Sequence, residues 1–73
     1  MEGDLQRAFG QSLATYRRGK GLSQEVFADE LGFHRTYVSD LERGERNLTL
    51  KSVERIAGQL GEEPLSMLGP GKP

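Results

Sequence analysis

The sequence predicts an all-α protein in which five short helices form one compact bundle. Apolar residues recur at the three- and four-residue spacing of a helical face in successive segments, and glycines separate those segments. No segment alternates polar and apolar residues as a half-buried strand does. A chain of 73 residues has room for a single core. We therefore predict one domain over residues 1–69 and a flexible Gly/Pro-rich tail over 70–73.

The first helix is predicted over residues 5–18, where one face carries apolar and small side chains. Asp4 is placed to act as its N-cap, and residues 19–21 should end it. Gly10 lies inside this helix, at a cost of up to ~1 kcal/mol relative to alanine. The residues of the predicted inner face are Leu5, Ala8, Phe9, Ser12, Leu13 and Tyr16.

The second helix is predicted over residues 24–31. Ser23 is a good N-cap, and Glu25 lies in the first turn, where the helix dipole favours a carboxylate. Gly32 follows as a left-handed C-cap residue, with apolar Phe33 behind it. The inner stripe consists of Phe27, Ala28 and Leu31. A short helix, a glycine turn and a further short helix form the helix-turn-helix arrangement.

The third helix is predicted over residues 35–42 and is closed by Gly44. At about 100° per residue its side chains divide into two faces. The polar face consists of Arg35, Thr36, Ser39, Asp40 and Arg43, and the other side of His34, Tyr37, Val38 and Leu41. His34 precedes the helix and is a candidate N-cap. The third helix is therefore predicted to turn a wholly polar surface outward.

Two more helices complete the predicted bundle. Thr49 can cap a helix over residues 50–60, which Gly61 stops. A short helix over 64–68 then begins with Pro64 at its first position. The inner residues of the longer helix are Leu50, Val53, Ile56, Ala57 and Leu60.

Composition excludes several classes of function. The chain has no cysteine and one histidine, which excludes disulfides and a structural zinc site. No nucleophile with its base, P-loop or dinucleotide fingerprint is present, so we expect no enzyme, no cofactor and no small-molecule ligand. No apolar run reaches the roughly 20 residues that span a bilayer, so we expect no membrane contact and a cytoplasmic, nucleoid-associated location. The net charge of −1 means that DNA binding would have to come from charge placement.

The segment from residue 9 to 68 resembles the Xre/Cro-type helix-turn-helix family, which has the lambda-repressor-like fold. The matching segments are residues 21–25, Ala28, residues 31–32, residues 38–39 and residues 41–44. Residues 35–39 and 42–48 are most similar to the controller proteins of restriction-modification systems. That resemblance implies a small dimeric transcription regulator acting on its own promoter and on that of the endonuclease. The alternatives are a phage-type repressor, another small regulator of this family, or a protein-interaction module or antitoxin without DNA function.

The helix-turn-helix motif indicates which residues would read DNA bases. The third helix of such a motif enters the major groove with its N-terminal residues against base edges. Arg35 is then the candidate for guanine O6 and N7, and Thr36 for a hydroxyl or methyl contact. Ser39 and Asp40 are further candidates on the same face. The family resemblance implies a base contact at Asp40, whose carboxylate could accept a hydrogen bond from cytosine N4. The alternative for all four is a solvated surface.

Phosphate contacts are predicted at the rim of the helix pair. Gln24 combines a side-chain amide with the free N–H groups of a helix N-terminus, and the family resemblance implies the same role for it. The other candidates are Arg17, Tyr37, Arg43, Arg46, Asn47 and Ser52. Each could instead be a cap or a salt-bridge partner, and Arg43 and Arg46 could pair with Glu42 or Glu45. Residues 33–47 carry three arginines and three acids, a local charge balance of zero.

Dimerisation would double the number of phosphate contacts and so offset this balance. Four apolar side chains near the C-terminus form the candidate interface: Leu60, Leu65, Met67 and Leu68. The alternative is that they close the core of the monomer. Two-fold pairing predicts a pseudo-palindromic operator with half-sites ~10 bp apart. Transcription activation would also require RNA polymerase as a partner.

Overall fold

A computed structural model of the chain describes residues 3–69. Its helices are α1 (Asp4–Gly19), α2 (Gln24–Leu31), α3 (Arg35–Glu42), α4 (Leu50–Leu60) and α5 (Pro64–Leu68). All regular secondary structure over this range is helical, so the predicted all-α, five-helix architecture is confirmed. The predicted flexible tail, residues 70–73, lies outside the described residues. Over residues 3–69, no helix combines the length and the apolar character needed to cross a membrane.

One core collects side chains from all five helices. Helix α1 packs against α3 and α5, α2 packs against α3, and α4 packs against α5. Full burial of each large apolar side chain stabilises the fold by about 1.5–3 kcal/mol. The core residues are Phe9, Leu13, Phe27, Ala28, Leu31, Val38, Leu41, Val53, Ile56, Ala57 and Met67. Helix α1 therefore forms the base on which α3 rests.

The bounds of α2 to α5 coincide with the predicted ranges, and α2 and α4 begin at side-chain caps that the sequence predicted. The Ser23 hydroxyl accepts a hydrogen bond from the Val26 N–H at 3.1 Å, and Thr49 Oγ1 accepts one from the Ser52 N–H at 3.0 Å. Each bond satisfies one of the orphan donors of the first helical turn. Pro64 occupies the start of α5.

Two other predicted N-caps, Asp4 and His34, are wrong. Gly3 holds the N-cap position of α1, and Asp4 is the first helical residue, with its carboxylate paired to Arg7. A carboxylate one residue inside the helix still interacts favourably with the dipole, so no capping bond is needed. His34 holds the N-cap position of α3, but its side chain makes no capping hydrogen bond. It is exposed rather than part of the apolar side of α3.

Two predicted inner residues also point outward. Leu5 is 62% exposed and Leu50 is 77% exposed. Each lies at the first or second position of its helix, before the first buried residue of that helix, which is Phe9 in α1 and Val53 in α4. Periodicity identifies the inner face of a helix, but it does not show where along the axis the neighbouring helices stop.

Gly10 permits the close approach of α1 and α3. A Cβ atom at this buried position would lie 2.2 Å from the Leu41 carbonyl oxygen and 2.8 Å from that of Glu42. Any side chain would therefore push apart the backbones of the two helices. The helix propensity lost at Gly10 is offset by this packing, a reason for glycine that the sequence pattern did not show.

The turn between α2 and α3 is built on Gly32. This residue has φ +81°, and the Phe33 N–H donates to the Ala28 carbonyl at 2.9 Å. A second bond runs from the Gly32 N–H to the Asp29 carbonyl at 3.2 Å, which completes a Schellman-type ending. The Phe33 side chain packs against the core and edge-on to the Tyr37 ring. The chain is thereby bent so that α3 crosses α2 and the first turn of α3 lies at the surface.

Candidate nucleic-acid interface

The first turn of α3, which begins at Arg35 and is here called the leading turn, presents two free polar side chains. Arg35 and Thr36 are both exposed. Among residues 3–69, neither side chain has a hydrogen-bond or ion-pair partner. Arg35 therefore offers a guanidinium with its donor fork unoccupied, beside the hydroxyl and methyl of Thr36.

The opposite face of α3 is fixed in the core. Val38 is fully buried and Leu41 is 2% exposed. Tyr37 is half-buried, and its ring centroid lies 4.8 Å from that of Phe33 in an edge-on contact. The exposed turn is thus carried on a helix that packing holds in one orientation.

A network around Glu42 ties together α1, α2 and α3. Arg17 donates to Glu42 from Nε at 2.7 Å and from Nη2 at 3.1 Å, and from Nη1 to the Leu22 carbonyl at 2.9 Å. Gln24 Nε2 donates to Glu42 Oε1 at 2.9 Å. The hydrogen bond to the Glu42 carboxylate raises the pKa of the Arg17 guanidinium above its usual value.

This network changes the interpretation of two predicted phosphate ligands. The Arg17 side chain is only 13% exposed and all three of its nitrogens have acceptors within the protein. We therefore withdraw Arg17 as a phosphate ligand, since its observed role is to anchor the end of α3. Gln24 stands at the first position of α2, where Glu42 orients its amide.

The C-terminal half of α3 and the residues just after it carry a group of paired polar and charged side chains, here called the Asp40 cluster: Ser39, Asp40, Arg43, Glu45 and Arg46. The Asp40 carboxylate accepts from Arg43 Nη2 at 2.6 Å and from Arg46 Nε at 3.3 Å. Arg43 also donates to Ser39 Oγ at 2.6 Å and to Glu45 Oε1 at 3.2 Å. Ser39 and Asp40, predicted to face bases, are both engaged by arginines.

The alternative in which Arg43 and Arg46 form salt bridges is therefore observed, although not with all of the partners considered. Arg43 pairs with Glu45 as considered, but Arg46 pairs with Asp40, and Glu42 pairs with Arg17 instead. Arg46 also lies over the Tyr37 ring, 5.0 Å from its centroid. Arg35 is thus the arginine of residues 33–47 without an internal counter-charge in the part of the chain that the structure describes.

Asn47 and Ser52, two further predicted phosphate ligands, lie beside other polar groups. Gln6 Nε2 donates to Asn47 Oδ1 at 3.1 Å and to the Arg46 carbonyl at 3.2 Å. The carbonyl end of the Asn47 amide is thereby occupied, which leaves its NH₂ group to donate outward. Ser52 Oγ accepts from the Thr49 hydroxyl at 2.9 Å, and its own hydrogen can still be donated.

The four residues of the predicted dimer interface do not share one environment. Met67 is 3% exposed and belongs to the core of the monomer, so we remove it from the interface. Leu60 and Leu68 are half-buried against that core, and Leu65 is 78% exposed. A cavity of about 390 Å³ opens beside Leu68; its lining also includes Leu5, Gln6, Leu48, Leu50 and Val53.

Two residues that position others were missed at the sequence level. Glu42 was considered only as a partner of nearby arginines, although its observed partner Arg17 lies in α1. Gln6 carries no motif signal, and it contacts Asn47 across the fold. Both contacts join residues distant in the chain, which periodicity cannot pair.

Comparisons with known proteins agree with this geometry. Residues 13–67 match the family described as helix-turn-helix. Control protein C.BamHI of Bacillus amyloliquefaciens is 42% identical over 69 residues, which cover 93% of this chain and 85% of that protein.

Two solved structures share the fold. The restriction-modification controller protein C.AhdI from Aeromonas hydrophila superposes with a TM-score of 0.71 at 42% identity, over 85% of this chain and 94% of that one. The hypothetical transcription factor NHTF from Neisseria gives a TM-score of 0.80 at 37% identity, over 96% and 80% of the two chains. With its matched family residues and its exposed leading turn, this chain belongs to the Xre-type helix-turn-helix family and is a DNA-binding transcription regulator rather than an enzyme.

Proposed function

We propose that this chain is a homodimeric controller of restriction-modification gene expression that binds a pseudo-palindromic operator in double-stranded DNA. The observation that carries the proposal is the leading turn of α3, where Arg35 and Thr36 are exposed and unpartnered within residues 3–69. Similarity to control protein C.BamHI and to the restriction-modification controller C.AhdI supports the controller role.

Base reading is assigned to the leading turn. With α3 in the major groove, the Arg35 guanidinium donates to guanine O6 and N7, and Thr36 contacts a neighbouring base. A bidentate contact of this kind discriminates against a wrong base by about 1–3 kcal/mol. Because Val38 and Leu41 fix the opposite face, α3 enters the groove without rearrangement.

Phosphate binding is assigned to donors on either side of that turn. The free N–H groups at the start of α2 and the Gln24 side chain form one anchor. The outward NH₂ of Asn47 and the hydroxyls of Tyr37 and Ser52 form the other. These contacts carry no sequence information, but they set the register of α3 on the duplex.

The dimer surface is proposed to lie along α5. Leu65 and Leu68 are three residues apart on one helical face, and Leu68 borders the cavity next to exposed Leu5 and Leu50. Leu65→Glu should raise the dimer dissociation constant by about tenfold or more, because it places a charge in an apolar contact. Val26→Glu, which adds the same charge at an exposed apolar residue of α2, is the control for sedimentation equilibrium. Equal dissociation constants for both variants would contradict this surface.

A fluorescence anisotropy titration tests the proposed function directly. Labelled duplex from upstream of the chain's own gene and a scrambled duplex are titrated at two salt concentrations. We expect tighter binding to the upstream duplex and a loss of affinity on both as salt rises. Equal, salt-independent affinities would favour a protein-interaction module.

The genetic context decides between a controller and a phage-type repressor. A controller should be encoded beside an endonuclease and a methyltransferase, whereas a repressor should lie among phage genes. Both assignments place the protein in the cytoplasm, associated with the nucleoid. Activation would add a contact with RNA polymerase.

A further inference from the structure

We infer that Asp40 acts as an internal counter-charge that weakens binding to every DNA sequence by holding Arg43 and Arg46 away from phosphates. The inference rests on the proposed DNA-binding function and concerns its strength. It replaces the prediction that Asp40 reads a base.

The geometry divides one carboxylate between two arginines. One oxygen accepts from Arg43 Nη2 at 2.6 Å, and the other from Arg46 Nε at 3.3 Å. The Asp40 side chain is 22% exposed, whereas those of Arg43 and Arg46 are 54% and 46% exposed. The carboxylate therefore lies beneath the two guanidiniums, where it is poorly placed to reach a base edge itself.

The other two nitrogens of Arg43 also donate within the protein. Its Nε donates to Glu45 and its Nη1 to Ser39, so each of its three nitrogens has an acceptor within the Asp40 cluster. The two arginines and two carboxylates of the cluster are formally neutral together. Arg35, at the first position of α3, has no such partner among residues 3–69. The fold thus keeps one arginine available and occupies two.

The energetic consequence is the same for all DNA sequences. A phosphate that takes Arg43 must compete with the acceptors its nitrogens already have in the free protein, and one that takes Arg46 must compete with the Asp40 carboxylate at Nε, so the cost does not depend on the bases. Exposed ion pairs are individually weak, and two of them correspond to a change in affinity of roughly two- to 30-fold. A base contact from Asp40 would instead affect one base pair of the operator.

The experiment compares D40N with a matched control, E54Q, which removes one negative charge from an exposed residue of α4. Glu54 has no hydrogen bond or ion pair within the described part of the chain. Each protein is titrated with a duplex selected from a random pool by the wild type and with its scrambled counterpart. Circular dichroism checks that both variants are folded.

We expect D40N to bind both duplexes roughly two- to 30-fold more tightly, with their ratio nearly unchanged. The plot of log affinity against log salt should steepen by up to about two units per protomer, because two more phosphates are neutralised. E54Q should change either affinity less than D40N does. A loss confined to the selected duplex would show base reading, and unchanged or weaker affinity on both would also overturn the inference.

A thermodynamic cycle tests whether the effect passes through the arginines. In an R43A/R46A background, D40N should no longer strengthen binding. An undiminished gain there would show direct repulsion between Asp40 and phosphates, which contradicts the inference. In the free wild-type protein, the Nε–H groups of Arg43 and Arg46 should exchange with water more slowly than that of Arg35. Equal exchange rates in the DNA-free protein would contradict the inference that Asp40 holds Arg43 and Arg46.

The proposed function can fail separately. A wild type that binds selected and scrambled duplexes equally would contradict sequence reading by Arg35. The comparison of D40N with wild type on the scrambled duplex would still decide the role of Asp40.

Discussion

Replacing Gly10 with alanine tests whether the contact between α1 and α3 sets the position of the recognition helix. The added Cβ would meet the Leu41 and Glu42 carbonyl oxygens at 2.2 and 2.8 Å, whereas ordinary contact begins near 3.4 Å. Both obstacles are backbone atoms in the last turn of α3. Neither can move aside as a flexible side chain would, so α3 itself must shift by about 1 Å.

The magnitude follows from two opposing effects. Overpacking a well-packed contact costs about 1–3 kcal/mol, and a backbone obstacle favours the upper end. The higher helix propensity of alanine returns up to about 1 kcal/mol. We therefore expect a net loss of about 2 kcal/mol in the free energy of unfolding. A core of this size supplies only about 3–5 kcal/mol, so this loss is a large share of the total.

Urea denaturation followed by circular dichroism measures the loss, and Gly58→Ala is the control. Gly58 lies inside α4, and a Cβ there would meet no atom within 4 Å other than those of its chain neighbours and of its own helix backbone. That substitution should stabilise the protein by about 0.4–1 kcal/mol. Gly10→Ala should also weaken DNA binding beyond the loss of folded protein, since it displaces α3. A Gly10→Ala variant as stable as the wild type would refute the close-approach explanation.

Three further substitutions test other contacts. Glu42→Ala should lower the free energy of unfolding by about 3 kcal/mol in the same assay, because it leaves the largely buried Arg17 guanidinium without its carboxylate. A loss smaller than the one expected for breaking an exposed ion pair would contradict the proposal that Arg17 and Glu42 anchor the end of α3. Thr49→Ala should cost about 1 kcal/mol through the lost cap of α4, and an unchanged urea midpoint would disagree with that bond. Gln6→Ala should weaken DNA binding with little change in stability, and the loss should vanish in an Asn47→Ala background; additive losses would show that Gln6 does not act through Asn47.

The parts of the fold that sequence reasoning predicted well are those specified by short-range signals. Ser23 and Gly32 lie at the two ends of α2, so local capping chemistry fixes its range. The periodicity of α3 likewise separated buried Val38 and Leu41 from exposed Arg35. Such features depend on neighbours within one or two helical turns.

Features that depend on distant neighbours were missed. Gly10 was counted as a local cost, because its benefit comes from backbone atoms of residues 41 and 42. Leu50 has the spacing of an inner residue but lies at the first position of α4, where the helix is exposed.

At the candidate site, the residue types were informative and the pairings were not. The equal numbers of arginines and acids over residues 33–47 indicated that some arginines would be neutralised, and Arg43 and Arg46 are. That Glu42 would hold Arg17 depends on the packing of α1 against α3. The pairs of Asp40 are local in the chain, but the sequence did not show which of the three nearby carboxylates would take them.

The most direct test of the account measures Arg35→Ala against base substitution. The selected duplex and variants with each G·C pair of a half-site replaced are titrated with wild type, Arg35→Ala and Arg46→Ala. We predict that Arg35→Ala loses about 1–3 kcal/mol on the selected duplex and no longer distinguishes one particular G·C replacement, whereas Arg46→Ala keeps that distinction. Equal losses for Arg35→Ala on the selected and scrambled duplexes, with every base preference retained, would contradict the claim that the leading turn of α3 reads DNA.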